Sequence, residues 1–144
     1  MDERIINFLK AQTNLTLATS NGDQPYCANC FYACTEDGTG LIFKSKQETE
    51  HAQQVLKNPN VAGSILPDKL VLARLQGIQF TGAAHQLTGE ELKNAEQLYN
   101  KKFSMARAVS GEFWMITLQN IKMTDNIFGI GNKLKWTKEV EVSK

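Results

Sequence analysis

Apolar and polar residues alternate along much of this chain, and turn-forming residues interrupt the alternation at short intervals. A two-residue period is typical of strands that bury one face. In the first half it predicts strands near residues 14–20, 25–35, 40–45 and 60–66. Asn21-Gly22 and Asp37-Gly38 are hairpin signals, because these residue types adopt the positive φ of tight turns. We therefore predict an antiparallel meander.

The second half continues the alternation in longer strands. Residues 70–87 are predicted to form one long, bent strand, with Gly77 and Gly82 as the points where it bends or where another group approaches closely. Two further strands are predicted at 112–124 and 127–137. No repeat or linker divides the chain, so residues 1–144 are predicted to be a single domain.

Three segments have the spacing of amphipathic helices instead. The first follows Asp2 as its cap and ends before Thr13. The second begins near Glu48 and ends at residue 57, and the third follows the capping box Thr88-Gly89-Glu90-Glu91. Strands that curve, with helices at their ends, predict a mainly β protein: a closed or split antiparallel barrel of six to seven strands.

The length, charge and hydropathy of the chain argue against nucleic acid and membrane as its partners. The chain has 144 residues and a formal charge of +1, with acids and bases interspersed. Without a basic face it is not expected to bind nucleic acid. No apolar run approaches the length of a membrane span, and the amino terminus is charged, so we expect a cytoplasmic protein without a membrane partner.

Three cysteines suggest a metal or redox cluster at first. On a strand, however, Cys27 and Cys30 face opposite ways, and Cys30 lies about 13 Å from Cys34 at about 3.3 Å per residue. No second cysteine or histidine pair completes a zinc site. Free thiols and no metal site are expected.

Candidate chemistry gathers where the third strand meets the second helix. Lys44, Ser45, Thr49 and His51 flank the start of that helix, whose free backbone N–H groups favour an anion. This pattern predicts a phosphate site. The alternative is an ordinary solvated helix cap, because charged residues at strand ends are common.

Several local strings, in this order, are similar to those of the pyridoxamine 5′-phosphate oxidase-like FMN-binding split barrels, and to a small branch of them in particular. The similarity covers nearly the whole chain. The strings are Gln24-Pro25-Tyr26, Leu41-Ile42-Phe43-Lys44-Ser45, Thr49-Glu50-His51-Ala52-Gln53, Lys57-Asn58-Pro59-Asn60-Val61, Arg74 to Gly82, and Thr124-Asp125-Asn126 through Lys133 to Trp136.

The resemblance implies FMN as cofactor and a homodimer as the active unit. It assigns the FMN phosphate to the Lys44, Ser45, Thr49 and His51 group already noted. The positions that it implies for the flavin ring are Asn29, Cys30, Phe31, Gln76 and Gly77, with Lys133 and Trp136 contributed by the second subunit.

Two departures from the family pattern limit the expected function. The oxidase proper has arginines where this chain has Asn29 and Glu50, so weaker FMN binding is expected. Where the oxidase has a C-terminal tryptophan and arginine, this chain has Thr124 and Lys133 or Lys135, so binding of pyridoxine phosphate is not supported. The expected function is an FMN-dependent oxidoreductase acting on an unknown small molecule. The alternatives are a non-catalytic protein that binds FMN, a deazaflavin or haem in the same cleft, and a structural dimer. His85 is interpreted as a surface strand residue.

Overall fold

The computed structural model describes residues 1–127 and 130–139. Seven strands form one antiparallel sheet, and three helices and a short 3₁₀ helix connect them. The strands are β1 Asn14–Asn21, β2 Gln24–Cys34, β3 Gly40–Ser45, β4 Asn60–Ile65, β5 Arg74–Gln86, β6 Glu112–Ile127 and β7 Ile130–Thr137. The helices are α1 Glu3–Ala11, α2 Glu50–Lys57, α3 Gly89–Lys102 and the 3₁₀ helix Ser104–Ala108.

The sheet closes into a barrel because β6 is long enough to pair with three strands. The strand order is β3-β2-β1-β4-β5-β6-β7, and β3 also pairs with β6. β5 runs along one edge of β6, while β3 and then β7 share the other edge. Six strands therefore form a ring, and β7 extends the sheet beyond it. The prediction of a mainly β, antiparallel barrel of six to seven strands with three helices is confirmed.

Inward-facing side chains fill the barrel, and α1 and α2 pack against them. Trp114, Tyr32 and Phe43 are among the largest fully buried side chains of this core. A second, smaller cluster lies on the outside, where α3 covers β2, β3 and the start of β6 through Tyr99 and Phe113. In the part of the chain that the structure describes, no helix lies on the outer face of the other strands.

Glycines permit close approach at two points of the barrel wall. A Cβ on Gly63 would lie 2.2 Å from Phe80 Cζ, and one on Gly82 would lie 2.5 Å from the Thr117 carbonyl oxygen. The β5–β6 register shifts between Thr81 and Gly82, which confirms a bulge at that predicted bend. Gly77 is different: the register is regular there and a Cβ would have ordinary space, so no bulge lies at Gly77, and the close approach of another group at this position stays a prediction.

Several element boundaries differ from the sequence prediction. α2 begins at Glu50 rather than near Glu48, because Thr49 is the N-cap and its hydroxyl accepts from the Ala52 N–H. Thr88 is the N-cap of α3, but its side chain makes no capping hydrogen bond, so the predicted capping box is wrong. β5 begins at Arg74, after a turn, and not at residue 70.

Candidate cofactor-binding site

A hydroxyl and imidazole cluster lies where β3 ends and α2 begins. His51 Nε2 lies 2.8 Å from Ser45 Oγ and 3.5 Å from Thr49 Oγ1. All three side chains are partly buried. The sequence folds this way because Thr49 caps α2, and one further residue places His51 in the first turn beside the strand end. Burial lowers the pKa of His51, so the imidazole is predominantly neutral near neutral pH.

Buried groups beneath the cluster hold it in place. The indole N–H of Trp114 donates to the Ser45 carbonyl oxygen at 2.9 Å, and Trp114 stacks on Phe43. Cys30 lies on the strand beside Ser45. Burial raises the pKa of the Cys30 thiol to about 11, against a smaller lowering from its hydrogen bond with Ser45. Cys30 therefore serves as a buried neutral neighbour of the cluster.

Glu50, the acid that the sequence comparison flagged, is turned along α2. Its Oε1 accepts from the side-chain amide of Gln54 at 2.9 Å, and the Gln54 carbonyl oxygen accepts from Thr19 at 2.7 Å. Gln54 is buried. This chain of hydrogen bonds anchors the Glu50 carboxylate one turn further along the helix.

Lys44 is not brought into the cluster. Its ammonium donates to the Ala106 carbonyl oxygen at 2.9 Å and lies 5.2 Å from the centre of the Phe113 ring. Consecutive strand residues point to opposite faces, so Lys44 meets the 3₁₀ helix while Ser45 meets α2. Lys44 as a phosphate ligand stays a prediction, and its ammonium must leave Ala106 to reach the other three residues.

The predicted ring-contacting residues of β2 do not share one face, because Cys30 is buried inside the barrel whereas its two neighbours lie on the outer face. Asn29 and Phe31 are exposed on β2, and the Asn29 side-chain oxygen accepts from Thr16 at 3.0 Å. Asn29, Thr16 and Ser64 line a hollow of about 500 Å³. Phe31 lies at its side, with its ring 5.7 Å from that of Phe103.

A second groove, of about 540 Å³, adjoins the first through Ser64 and Leu66. Gln76, Gly77 and Lys133 all line it. Gly77 pairs with Thr124, which pairs with Lys133, so one chain brings these predicted residues together. A Cβ on Gly77 would come no closer than 3.5 Å to any neighbour. Nothing inside the chain therefore requires glycine at this point of the groove.

Trp136 and the cysteines occupy other places. Trp136 packs partly against the barrel core and lines a smaller hollow of about 280 Å³ on β5, β6 and β7. Cys27 is exposed whereas Cys30 and Cys34 are buried, as strand alternation predicts, and all three are free. Within residues 1–127 and 130–139, no three His, Cys, Asp or Glu side chains are grouped as metal ligands.

His85 is exposed on β5, as predicted. Its Nε2 lies 3.4 Å from the carboxylate of Glu91, an acid that the sequence interpretation did not associate with it.

No helix in the described part of the chain is long and apolar enough to span a membrane.

Sequence reasoning missed one feature, a pair of lysines on the outer face. Lys122 of β6 is directly opposite Lys135 of β7, and Gln79 of β5 is on the other side of Lys122. The alternation of β6 gives the direction in which Lys122 points. Only the strand register brings it beside Lys135, and that register is not encoded in local sequence.

A six-stranded antiparallel ring with a seventh strand on the shared edge of β6, and a polar cluster where α2 begins, defines the split-barrel class. The pyridoxamine 5′-phosphate oxidase family description matches residues 1–124. The chain belongs to that family, as the sequence resemblance predicted.

Relatives and solved structures agree with this assignment. The UPF0306 protein of Serratia proteamaculans is 37% identical over 136 residues, which are 94% of each chain. A UPF0306 protein of Photorhabdus laumondii is 39% identical over 134 residues, 93% of this chain and 94% of that one.

Two solved structures share the fold at 17% identity. A haem-binding protein from Mycobacterium smegmatis matches with a TM-score of 0.78, over 94% of this chain and 57% of that chain. An FAD-binding protein from Mesorhizobium loti matches with a TM-score of 0.71, over 83% of this chain and 88% of that one.

Proposed function

We propose that this protein binds flavin mononucleotide and works as a homodimeric, flavin-dependent oxidoreductase acting on a small molecule. The observation that carries the proposal is the Ser45, Thr49 and His51 cluster at the start of α2. Family membership supports a flavin, and this compact cluster favours the single phosphate of FMN over a longer cofactor.

The donor chemistry of the cluster fits a phosphate. Two hydroxyls and one imidazole nitrogen converge there, and the N–H groups of the first turn of α2 have no partner within the helix. The Glu50 carboxylate is engaged by Gln54, which reduces the repulsion expected from its position in the sequence. Phosphate oxygens would take over the contact that Ser45 and His51 now make with each other.

Asn29, Phe31, Gln76 and Gly77 are the residues of one subunit that would hold the ring, and Lys133 would come from the second subunit. Asn29 and Gln76 supply amides, and Gly77 leaves room for a planar group. When bound, the flavin would supply hydride or electron transfer, whereas the protein orients it and limits access of water. Because the flavin supplies the chemistry, the reaction needs no side-chain acid or base from the protein.

Exposed apolar residues beside the grooves support the homodimer. Phe31, Leu66 and Leu75 are 58%, 57% and 64% exposed. Apolar surface gathered at a groove is typical of an interaction site. A second subunit covering it would add its own Lys133 and Trp136 to the flavin site, in line with the family resemblance.

The phosphate assignment is tested by comparing FMN with riboflavin. Hydrogen bonds to a charged group are worth about 1.5–3 kcal/mol, so Ser45→Ala and His51→Gln should each weaken FMN by about tenfold or more. Riboflavin affinity should change by less than about twofold. Thr88→Val is the matched control, because that hydroxyl makes no capping bond. Equal losses for FMN and riboflavin would exclude the cluster as the phosphate site.

A cofactor panel tests the rest of the proposal. Native protein is analysed by mass spectrometry for released FMN, deazaflavin or haem, and titrated with FMN and with haem. Bound FMN that NADH or NADPH reduces supports the oxidoreductase. FMN that neither reduces would leave a non-catalytic binder, and haem bound in place of FMN would contradict the proposal.

Complementation tests the shared site. One variant carries Ser45→Ala with His51→Gln, and the other carries Lys133→Ala with Trp136→Phe. These point variants keep β7, whose Leu134 and Trp136 pack against the core. If the site is shared between subunits, mixing the two variants should restore about one intact site per heterodimer. Empty sites in the heterodimer, or a monomer that binds FMN normally, would contradict a shared site.

A further inference from the structure

The outward-facing residues of six strands form registered rows across the sheet. One row runs from β2 to β7 through Asn29, Thr16, Ser64, Gln79, Lys122 and Lys135. The adjacent row consists of Cys27, Ala18, Ala62, Thr81, Asn120 and Thr137. Neither row contains an aspartate or a glutamate, although acids and bases are nearly equal in the whole chain. The outer face is thus polar and cationic at its β6–β7 end.

Lys122 and Lys135 face each other directly in that row, and Lys133 is two residues from Lys135 on the same face. Like charges in directly opposed positions repel and lower stability. Among residues 1–127 and 130–139, no carboxylate lies within ion-pair distance of any of these three ammonium groups. Asp125, the nearest acid on β6, points to the other face, where Arg74 binds both of its oxygens at 2.9 Å.

Two hollows meet at this pair. Gln79 and Lys122 line both the groove of about 540 Å³ and the hollow of about 280 Å³, while Lys133 lines the first and Lys135 the second. The Gln79 side chain adds a neutral amide beside the charges. Lysines brought together without a counter-charge, beside a concave surface, favour an anionic ligand.

We propose that Lys122, Lys135 and Gln79 form a second anion site, which binds a phosphate or diphosphate group of a small molecule. This site is separate from the cluster of Ser45, Thr49 and His51, called the Ser45 cluster below. Asn29, on the strand that borders Ser45, is four strand spacings from Lys122, or roughly 19 Å along the sheet at about 4.8 Å per strand. The site extends beyond the proposed function, since it needs no flavin.

The test measures binding of pyrophosphate and inorganic phosphate to flavin-free protein by titration calorimetry at low salt. The Lys122→Gln, Lys135→Gln double variant should lose about tenfold or more in pyrophosphate affinity. Lys101→Gln is the matched control for loss of an exposed lysine charge, and it should bind like the wild type. Without anion the double variant should be as thermally stable as the wild type or more so, because the repulsion is removed. Pyrophosphate should raise the melting temperature of the wild type and of Lys101→Gln, but not that of the double variant.

Four results would overturn this assignment, the first three for the site itself and the last for the class of its ligand. The first is equal pyrophosphate affinity in the double variant and in Lys101→Gln. The second is a parallel loss of FMN affinity, because the anion would then be the flavin phosphate itself. The third is a change of oligomeric state in sedimentation, which would make the lysines contacts to a second copy. Malonate binding as tightly as pyrophosphate would overturn the choice of phosphate over carboxylate. Failure to bind FMN, by contrast, leaves the second site intact, so the two proposals fail separately.

Discussion

The Ser45 cluster and the Lys122–Lys135 pair present polar groups to a ligand in different ways. In the cluster, half-buried neutral groups contact one another, and Trp114 and Thr49 fix their backbone and side-chain positions. In the pair, the exposed Lys135 and the partly buried Lys122 have no partner of opposite sign in the described part of the chain. The first arrangement is ordered before a ligand arrives, whereas the second is repulsive until one does.

This contrast has an energetic meaning. Hydrogen bonds in a partly dry site are strengthened by the low local dielectric, and little conformational entropy remains to be lost on binding. Exposed charges act through a solvent that screens them, and their long side chains must still be ordered. We therefore expect geometric selectivity from the cluster and a salt-sensitive attraction from the lysines.

The largest effect should come from removing the support of the cluster. Trp114 is fully buried, so Trp114→Ala should lower the free energy of unfolding by about 3–5 kcal/mol. Trp114→Phe keeps most of the volume but leaves the Ser45 carbonyl without its donor, and should cost about 1–3 kcal/mol. Urea unfolding measures both. FMN affinity that is unaffected in folded Trp114→Phe would show that the cluster does not depend on this support.

Two glycines of β5 should respond in opposite directions. Gly82→Ala forces a Cβ against the Thr117 carbonyl and should lower stability by about 1–3 kcal/mol. Gly77→Ala meets no close neighbour and should be neutral or stabilising by up to about 1 kcal/mol. If the groove holds a flavin ring, Gly77→Ala should nevertheless weaken FMN binding. A stability loss at Gly77 equal to that at Gly82 would contradict the open groove.

Raising the salt concentration should produce a smaller difference, which is measured in the ligand affinities of the two sites. Between about 50 mM and about 500 mM NaCl, pyrophosphate affinity at the lysine pair should fall several-fold, because screening acts on exposed charges. FMN affinity at the half-buried cluster should fall by less than about twofold. Parallel titrations at both salt concentrations make the comparison, and equal slopes for the two ligands would remove the proposed distinction.

The smallest effect concerns pH. Burial lowers the pKa of His51 below its ordinary value of 6.5, so the unfolded chain binds this proton more readily than the folded one. The stability due to neutral His51 is complete above pH 6.5 and is lost as pH falls through the lower folded-state pKa. Thermal unfolding across this window should decline with acidity in the wild type and be flatter in His51→Gln. Identical profiles would mean that another group controls the acid side.

Side chains of a strand alternate between its two faces, and this rule explains where the sequence prediction of the phosphate site succeeded and where it failed. Alternation correctly predicted that Cys27 and Cys30 face opposite ways, and the helix start correctly grouped Ser45 with Thr49 and His51. The same alternation separates Lys44 from Ser45, which the sequence-based phosphate site had placed together.

Non-local pairing accounts for what the sequence left out. The meander of β1, β2 and β3 is predictable because its turns are local. The β3–β6 pairing that closes the barrel and the β6–β7 register that opposes Lys122 to Lys135 join residues whose proximity no short motif encodes. The turn of Glu50 toward Gln54 likewise depends on Thr19, from a distant strand.

The position of β7 outside the ring bears on how molecules of this protein avoid one another. Within residues 1–127 and 130–139, β7 pairs with β6 and with no other strand, so its far edge presents backbone N–H and C=O groups that another strand could pair with. Lysines on such an edge oppose that pairing, because bringing two edges together would also bring their charges together. We therefore expect Lys133 and Lys135 to disfavour aggregation through this edge.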